Sequence, residues 1–463
     1  MKIAIIGSGY VGLVAAGCFA ELEHEVVCVD RDEAKLARLS RGECPIHEEF
    51  LPELLKDYVG NRLRFTADLP AAVAASEVVF IAVGTPGSDS GEADLASVES
   101  VAREVARGIN DYKVIVEKST VPVCTAQRLA TILEQGGAPR GRFDVVSNPE
   151  FLREGSAVCD FLFPDRIVIG SSSARASDKL RAVYAPLTSG AYSMRADAIP
   201  APDGAPLPPP LIQTSTRSAE LLKHAANAYL AMRVSFINAV ANLCESVGAS
   251  VEEVCAGLGA DSRIGPEFLQ PGIGYGGACF PKDLAAFHAV ARECGYDFAL
   301  LDEVKRINEM QRERFLGKVR EALWTIKGKR LAVLGLAFKG GTDDIRESPA
   351  IFVVEQLLAE GATVVAYDPA AMPRAREVFT ELEYAEDAYE AADGADGLLI
   401  LTDWEEFAAL ELARLRRALR YPIVVDGRNL FSPERMAEEG FFYHSIGRPQ
   451  PRAQRALKLR KAS

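Results

Sequence analysis

Two doubly wound α/β domains joined by a long central helix are the fold this sequence predicts, and three observations predict it. Apolar segments of strand length alternate with helical patterns from residue 2 to about 150, and again from 329 to 426. Between these blocks, Ser218 to Val247 runs without a Gly or Pro. The first block opens on a glycine pattern that the second block lacks.

Lys2 to Gly7 reads as a buried strand. Gly7-Ser8-Gly9-Tyr10-Val11-Gly12 follows, then a helix through Glu21, then a strand from Glu25 to Val29 that ends in Asp30. In this context the glycines suit a tight turn and close approach to a pyrophosphate, with helix N–H groups facing the anion. Asp30 suits ribose hydroxyls and repels a 2′-phosphate, which predicts NAD over NADP, although Arg31 stands beside it. Further strands are expected at Glu77–Val83, ending in Gly84-Thr85-Pro86, and at Lys113–Glu117, ending in Lys118-Ser119-Thr120. A fifth, Phe143–Ser147, ends in Asn148-Pro149-Glu150. Ligands of open α/β sheets bind beyond the carboxyl ends of strands, so Thr85, Ser119, Thr120 and Glu150 are site candidates. Glu150 and Glu154 stand at i and i+4, and a helical turn there would put both on one face.

Pro200 to Leu211 reads as an extended proline-rich loop. On the long helix, Glu220, Lys223 and Asn227 form one stripe. Lys223 belongs either to a solvated face or, given its apolar and alanine neighbours, to a covered one. Next comes Gly272-Ile273-Gly274-Tyr275-Gly276-Gly277-Ala278-Cys279-Phe280-Pro281-Lys282-Asp283, then an apolar helical run. Pro281 suits a first helical turn. The helix dipole and Lys282 would favour a Cys279 thiolate, and Asp283 could handle protons beside it. The competing reading is a buried cysteine after a glycine turn.

Lys329 to Leu334 starts the second alternation, with Gly335-Leu336-Ala337-Phe338 in place of a dinucleotide loop. Thr363–Tyr367 ends in Asp368, and Gly397–Leu401 and Ile423–Asp426 come after it. Lys339 and Arg346 could neutralise phosphates, and Ser348-Pro349 suits a helix cap. The whole pattern is two Rossmann-like units.

Composition narrows the class. A net charge of −13 argues against non-specific nucleic-acid binding. No apolar run reaches the ~20 residues of a bilayer span, and Ile3–Ile6 is too short for a signal peptide. Nine scattered cysteines without a C-x-x-C pair predict reduced thiols in a cytoplasm, with no metal. From Arg448 on, six Lys/Arg and no acid predict a disordered tail without assigned function.

Taken together the motifs resemble the UDP-glucose/GDP-mannose dehydrogenase family, over about Met1 to Phe431. They are Gly7 to Gly12, Val83-Gly84-Thr85-Pro86, Ser119-Thr120-Val121-Pro122, Asn148 to Gly155, Ala219 to Lys223 with Asn227, the Cys279 segment, and Phe338-Lys339 through Ser348. The resemblance implies domains at 1–213 (NAD), 214–325 (helical dimerisation), 326–447 (UDP-sugar) and 448–463 (tail). It implies four-electron oxidation of UDP-glucose to UDP-glucuronate through thiohemiacetal and thioester intermediates on Cys279. Lys223 and Asn227 would stabilise oxyanions and Asp283 would relay protons, with Thr120, Glu150 and Glu154 completing the catalytic set. For the cofactor it implies the Gly7–Gly12 loop with Gly9, Tyr10 and Val11, and Asp30, Lys35, Thr85, Ser119, Thr120, Glu154, Cys279, Lys282 and Arg346. For the sugar nucleotide it implies Glu150, Phe151, Leu152, Arg153, Glu154, Lys223, Asn227, Arg263, Gly272, Gly274, Tyr275, Gly276, Phe338, Lys339 and Arg428.

The alternatives are a related enzyme acting on UDP-N-acetylmannosamine or GDP-mannose, and a non-catalytic sensor of nucleotide sugars. Cys279, Lys223 and Asp283 argue against the sensor. Two departures stand out: Gly340, where the family often has proline, and an Ala191–Ile212 segment that is long and rich in proline.

Overall fold

The computed structural model describes residues 1–87, 91 and 93–449. It forms two compact units, Met1–Ala226 with Ala285–Tyr296, and Asn227–Leu284 with the chain from Asp297 on.

The first unit is built on an eight-stranded sheet: β1 Lys2–Ile6, β2 Glu25–Val29, β3 Leu63–Thr66, β4 Val78–Ile81, β5 Lys113–Glu117, β6 Phe143–Ser147, β7 Ile167–Gly170 and β8 Leu211–Thr214. Their spatial order is β3-β2-β1-β4-β5-β6-β7-β8. Pairing is parallel except between β6 and β7. Helices cover both faces, and apolar cores lie on each side, one around Phe19, Phe80 and Phe161 and another around Ile81, Val105 and Leu129. Such two-sided burial explains why β1, β4 and β5 read as unbroken apolar runs.

Register decides what this sheet presents at its edge. Val29, Ile6, Ile81, Glu117 and Ser147 are paired in one row across five strands. The next residue of each strand's chain, Asp30, Gly7, Ala82, Lys118 and Asn148, therefore stands on one carboxyl edge. Strand order reverses between β1 and β4, the position where such sheets open a crevice.

The second unit holds a six-stranded, all-parallel sheet: β9 Arg330–Leu334, β10 Thr363–Tyr367, β11 Glu383–Tyr384, β12 Gly397–Ile400, β13 Ile423–Asp426 and β14 Phe442–His444, ordered β11-β10-β9-β12-β13-β14. Its helix Pro349–Ala359 begins as expected, with the Ser348 hydroxyl accepting from the Ala350 N–H at 3.2 Å. The long helix spans Thr216–Val247. It starts two residues before the expected Ser218, because the Ser215 hydroxyl accepts the Ser218 N–H at 3.1 Å and caps it.

Three expectations are corrected. Leu211, read as loop, starts β8, and the preceding segment packs on the first unit: Tyr192 is fully buried and Arg195 binds the Glu21 carbonyl at 3.0 Å. Residues 149–155 are not helical. The Glu150 carboxylate accepts the Leu152 N–H at 2.7 Å, a local bond that holds an extended turn. Arg448, counted with the tail, is buried and bonded to the Phe431 and Asn429 carbonyls and to Glu252. The rest of the tail expectation, residues 450–463, lies outside the described residues.

Candidate active site

The cofactor half is built from the sheet edge. Gly7 has φ +102°, and a Cβ there would lie 2.6 Å from the Ala82 carbonyl oxygen. A Cβ on Gly12 would lie 1.9 Å from the Gly7 oxygen, so the helix Tyr10–Glu21 can start against the turn only with glycine. At Gly9 the same test meets nothing within 4 Å. The helix has no side-chain cap and no acid in its first turn, which leaves its N–H groups and dipole for an anion. These features fit a dinucleotide pyrophosphate.

Asp30 is prepared beside them. Its carboxylate accepts the Ser8 N–H at 3.1 Å, the Ser8 hydroxyl at 2.5 Å and Lys35 Nζ at 3.4 Å. Burial disfavours its charge, but the Ser8 and Asp32 hydrogen bonds and Lys35 outweigh that and hold its pKa at about 2. In the second sheet the corresponding Asp368 is fully buried. It accepts the Leu336 and Ala337 N–H groups at 2.7 and 3.1 Å and Trp404 Nε1 at 3.2 Å. That acid is fully buried and committed to its own turn and to Trp404, so it presents no open face to a ribose.

Hydroxyls stitch the neighbouring loops. Thr85 donates to the Thr120 carbonyl and Ser119 to the Val83 carbonyl, each at 2.8 Å. Glu117, Ser119, Thr120, Val121, Ser147, Pro149, Glu220 and Lys223 surround a small pocket. Lys223 is buried and its Nζ lies 2.8 Å from Glu150, so the solvated-face reading is excluded. Phe151 lies under the Arg166 guanidinium at 3.7 Å. Glu220 serves the scaffold, accepting the Cys124 and Ala126 N–H groups, both at 2.7 Å, at the start of the helix Thr125–Gln135. Arg153 is turned into a fork with Asp160, at 2.6 Å for its shortest bond, and Glu154 sits in a turn.

Two residues of this edge, Lys118 and Asn148, are not among the candidates drawn from sequence. Lys118 is buried, donates to Asn148 Oδ1 at 3.1 Å and lies over the Phe161 ring. Burial drives its pKa down to about 8, with Glu150 and Glu117 opposing and Lys223 assisting. Tyr184 donates to the same Asn148 oxygen at 2.6 Å. The edge-of-sheet rule that points to Ser119 and Glu150 applies equally to these two residues.

In the second unit, the helix Phe280–Glu293 begins just after the half-buried Cys279, with Pro281 in its first turn. The Asp283 N–H donates to the Cys279 carbonyl at 2.8 Å. Asp283 is completely buried, accepts Asn227 Nδ2 at 2.5 Å and pairs with Lys282 at 2.8 Å. A carboxylate so held cannot swing away from the turn that carries the thiol. Asn308 clamps the glycine loop, accepting the Tyr275 N–H at 2.8 Å and donating to its carbonyl at 3.0 Å. Asn238 accepts the Gly272 N–H at 2.8 Å. A Cβ on Gly274 would lie 2.7 Å from Asn308, and one on Gly276 2.2 Å from the Glu347 carbonyl. Gly277 rests on the Phe338 ring. Arg428 is fixed by the Leu401 and Phe338 carbonyls at 2.9 and 2.8 Å, and Arg346 forks onto Asp344. Lys339 is half-buried after Phe338. Arg263 is held by Asp261 on an exposed turn.

A sheet edge shaped for a dinucleotide is the mark of a nicotinamide-dependent oxidoreductase. Residues 1–188, 217–310 and 332–433 match the NAD binding, central and UDP binding domains of the UDP-glucose/GDP-mannose dehydrogenase family, and the chain belongs to that family. It is 46% identical over 453 residues to UDP-glucose 6-dehydrogenase TuaD of Bacillus subtilis, covering 97% of this chain and 94% of that protein. With the UDP-glucose 6-dehydrogenase of Rhizobium meliloti it shares 47% over 455 residues, 97% of this chain and 100% of that one. A solved UDP-glucose dehydrogenase from Pyrobaculum islandicum superposes with a TM-score of 0.84 at 38% identity, covering 96% of each chain. The UDP-D-ManNAc dehydrogenase of Pyrococcus horikoshii gives 0.82 at 28%, covering 97% and 100%.

Proposed function

We propose that this protein oxidises UDP-glucose to UDP-glucuronate, consuming two NAD per sugar and retaining the half-oxidised sugar on Cys279. The observation that carries the chemistry is the first turn of the helix Phe280–Glu293, where a thiol precedes a buried carboxylate anchored by Asn227 and Lys282. The sugar follows from the named relatives at 46% and 47% identity along nearly the whole chain.

NAD, when bound by the Gly7–Gly12 loop and Asp30, supplies the hydride acceptor. The chain supplies the rest. As C6 loses a hydride and its hydroxyl passes a proton through water to Asp283, Lys223 and Asn227 stabilise the developing oxyanion. The Cys279 thiolate adds to the resulting aldehyde, whose oxygen takes a proton, giving a thiohemiacetal. Loss of a second hydride and of that proton leaves a thioester. Water, positioned by Glu150 or Glu154, adds to the acyl carbon and expels the thiolate, and Asp283 accepts the proton through water. Arg428, Lys339 and the glycine loop are assigned to the uridine diphosphate, Arg346 to the cofactor, and Arg263 to a neighbouring subunit's site. A second copy covers the exposed row Tyr229, Phe236 and Leu243 on the long helix, forming a dimer.

The test is NADH release from a panel of UDP-glucose, UDP-N-acetylmannosamine and GDP-mannose. The proposal expects turnover with UDP-glucose at a kcat/KM well above the others. Preference for another sugar would overturn it.

A further inference from the structure

Glu48 lies in no helix or strand, yet it is buried and joins two segments distant from its own. Its Oε2 accepts the Tyr10 hydroxyl and, at 2.8 Å, the Gly155 N–H, while Oε1 accepts the Val158 N–H at 3.2 Å. The Gly155 N–H is shared with the Tyr10 hydroxyl oxygen, 2.7 Å away. A carboxylate that merely started the helix Ala157–Leu162 would need only the last of the three Glu48 bonds.

The partners are the telling part. Tyr10 is the first residue of the helix after the glycine turn. Gly155, at φ +86°, closes the turn that carries Glu150 and Glu154. One end of the node therefore belongs to the cofactor loop and the other to the segment whose Glu150 pairs with Lys223. Displacing either loop breaks bonds at the other, around a buried carboxylate whose unmade hydrogen bonds are costly.

We propose that Glu48 and Tyr10 are positioning residues that couple the cofactor loop to the Glu150–Gly155 segment, so that filling one loop orders the other. The sugar side of this coupling rests on the function proposed above. In an enzyme that must exchange cofactor while a half-oxidised sugar stays bound, such a link keeps the acyl-bearing site arranged as the second NAD arrives. Linkage makes the coupling reciprocal.

Hydrogen exchange tests the link without any sugar. NADH alone should slow amide exchange of residues 150–158 by about fivefold or more in the parent, within the usual range of coupling between sites. In Tyr10→Phe and Glu48→Gln, at NADH concentrations that saturate each variant by its fluorescence, the slowing should vanish. Slowing that persists in both variants would come from direct contact and would overturn the proposal, as would no slowing in the parent. Tyr10→Phe removes one oxygen and leaves both N–H bonds of Glu48, so it carries the test if Glu48→Gln does not fold. A second arm titrates NADH with and without UDP-glucose, a pair that cannot react. UDP-glucose should tighten NADH about fivefold in the parent and less than twofold in the variants. A sugar arm silent in the parent beside a positive exchange arm would sink the substrate reading and leave the loop coupling standing.

Discussion

Lys223 and Glu150 are a buried ion pair, so a lysine deletion does two things at once. Lys223→Ala removes the proposed oxyanion donor, a loss that typically costs about 100- to 1000-fold in kcat. It also takes from buried Glu150 the cation it pairs with, leaving only the neighbouring Lys118, at up to about 3–5 kcal/mol of stability. A Lys223→Met/Glu150→Gln double variant separates these effects: its melting temperature should return toward the parent's while kcat stays low. Recovery of kcat with stability would remove Lys223 from the chemistry. Lys118 offers a second test at this scale. Its pKa falls from 10.5 unfolded to about 8 folded, so between those values the unfolded chain holds a proton that the folded one lacks. Stability from this residue therefore rises with pH across that window, by on the order of 3 kcal/mol. Relative to Lys118→Met, the parent should gain thermal stability from pH 8 to pH 10, and an unchanged gap would contradict the assigned pKa. Cys279→Ser should abolish release of the sugar acid while sugar-nucleotide binding, measured by calorimetry, survives. An unimpaired Cys279→Ser protein would end the nucleophile assignment.

Among the elements, the long helix is legible because its two faces carry different information. Tyr229, Phe236 and Leu243 recur every seven residues, each more than half exposed at 55%, 53% and 62%. Exposed apolar rows of this kind mark contact surfaces. Phe236→Glu should lower the mass seen by analytical ultracentrifugation from dimer to monomer, and a parent that sediments as a monomer would sink the assembly. Buried strands such as β5 and β10 are readable to the residue, and β1 to within one, since burial on both faces writes apolar runs. Strands β3, β11 and β14 are not, being two to four residues long at or near sheet edges. The helical turn expected at Glu150–Glu154 fails because spacing alone cannot see a carboxylate bonding its own backbone two residues on. Glu48 has no sequence signal, because its partners lie up to 110 residues away.

At the scale of the whole molecule, one sheet design occurs twice and is used differently. Asp30 stays half-open with a pKa near 2, while Asp368 is spent on its own turn. Asp30→Ala should therefore relax the preference for NAD over NADP, seen as a narrowing ratio of kcat/KM values. Equal values in the parent would show that Arg31 prevails. The proposed retention of the intermediate on Cys279 predicts about two NADH per UDP-glucuronate released; one NADH with aldehyde in solution would contradict it.

The long helix also sets a rule of length. Glu220, Lys223 and Asn227 each hold a different loop or turn, and all three depend on one continuous phase of winding. One residue inserted between Lys223 and Asn227 would rotate the remainder of the helix by about 100° and shift it by about 1.5 Å. Lys223 and Asn227 would then lie on different faces of the helix. Lineages of this protein should vary freely in the composition of this helix's exposed side, yet its residue count between Glu220 and Asn227 should be frozen.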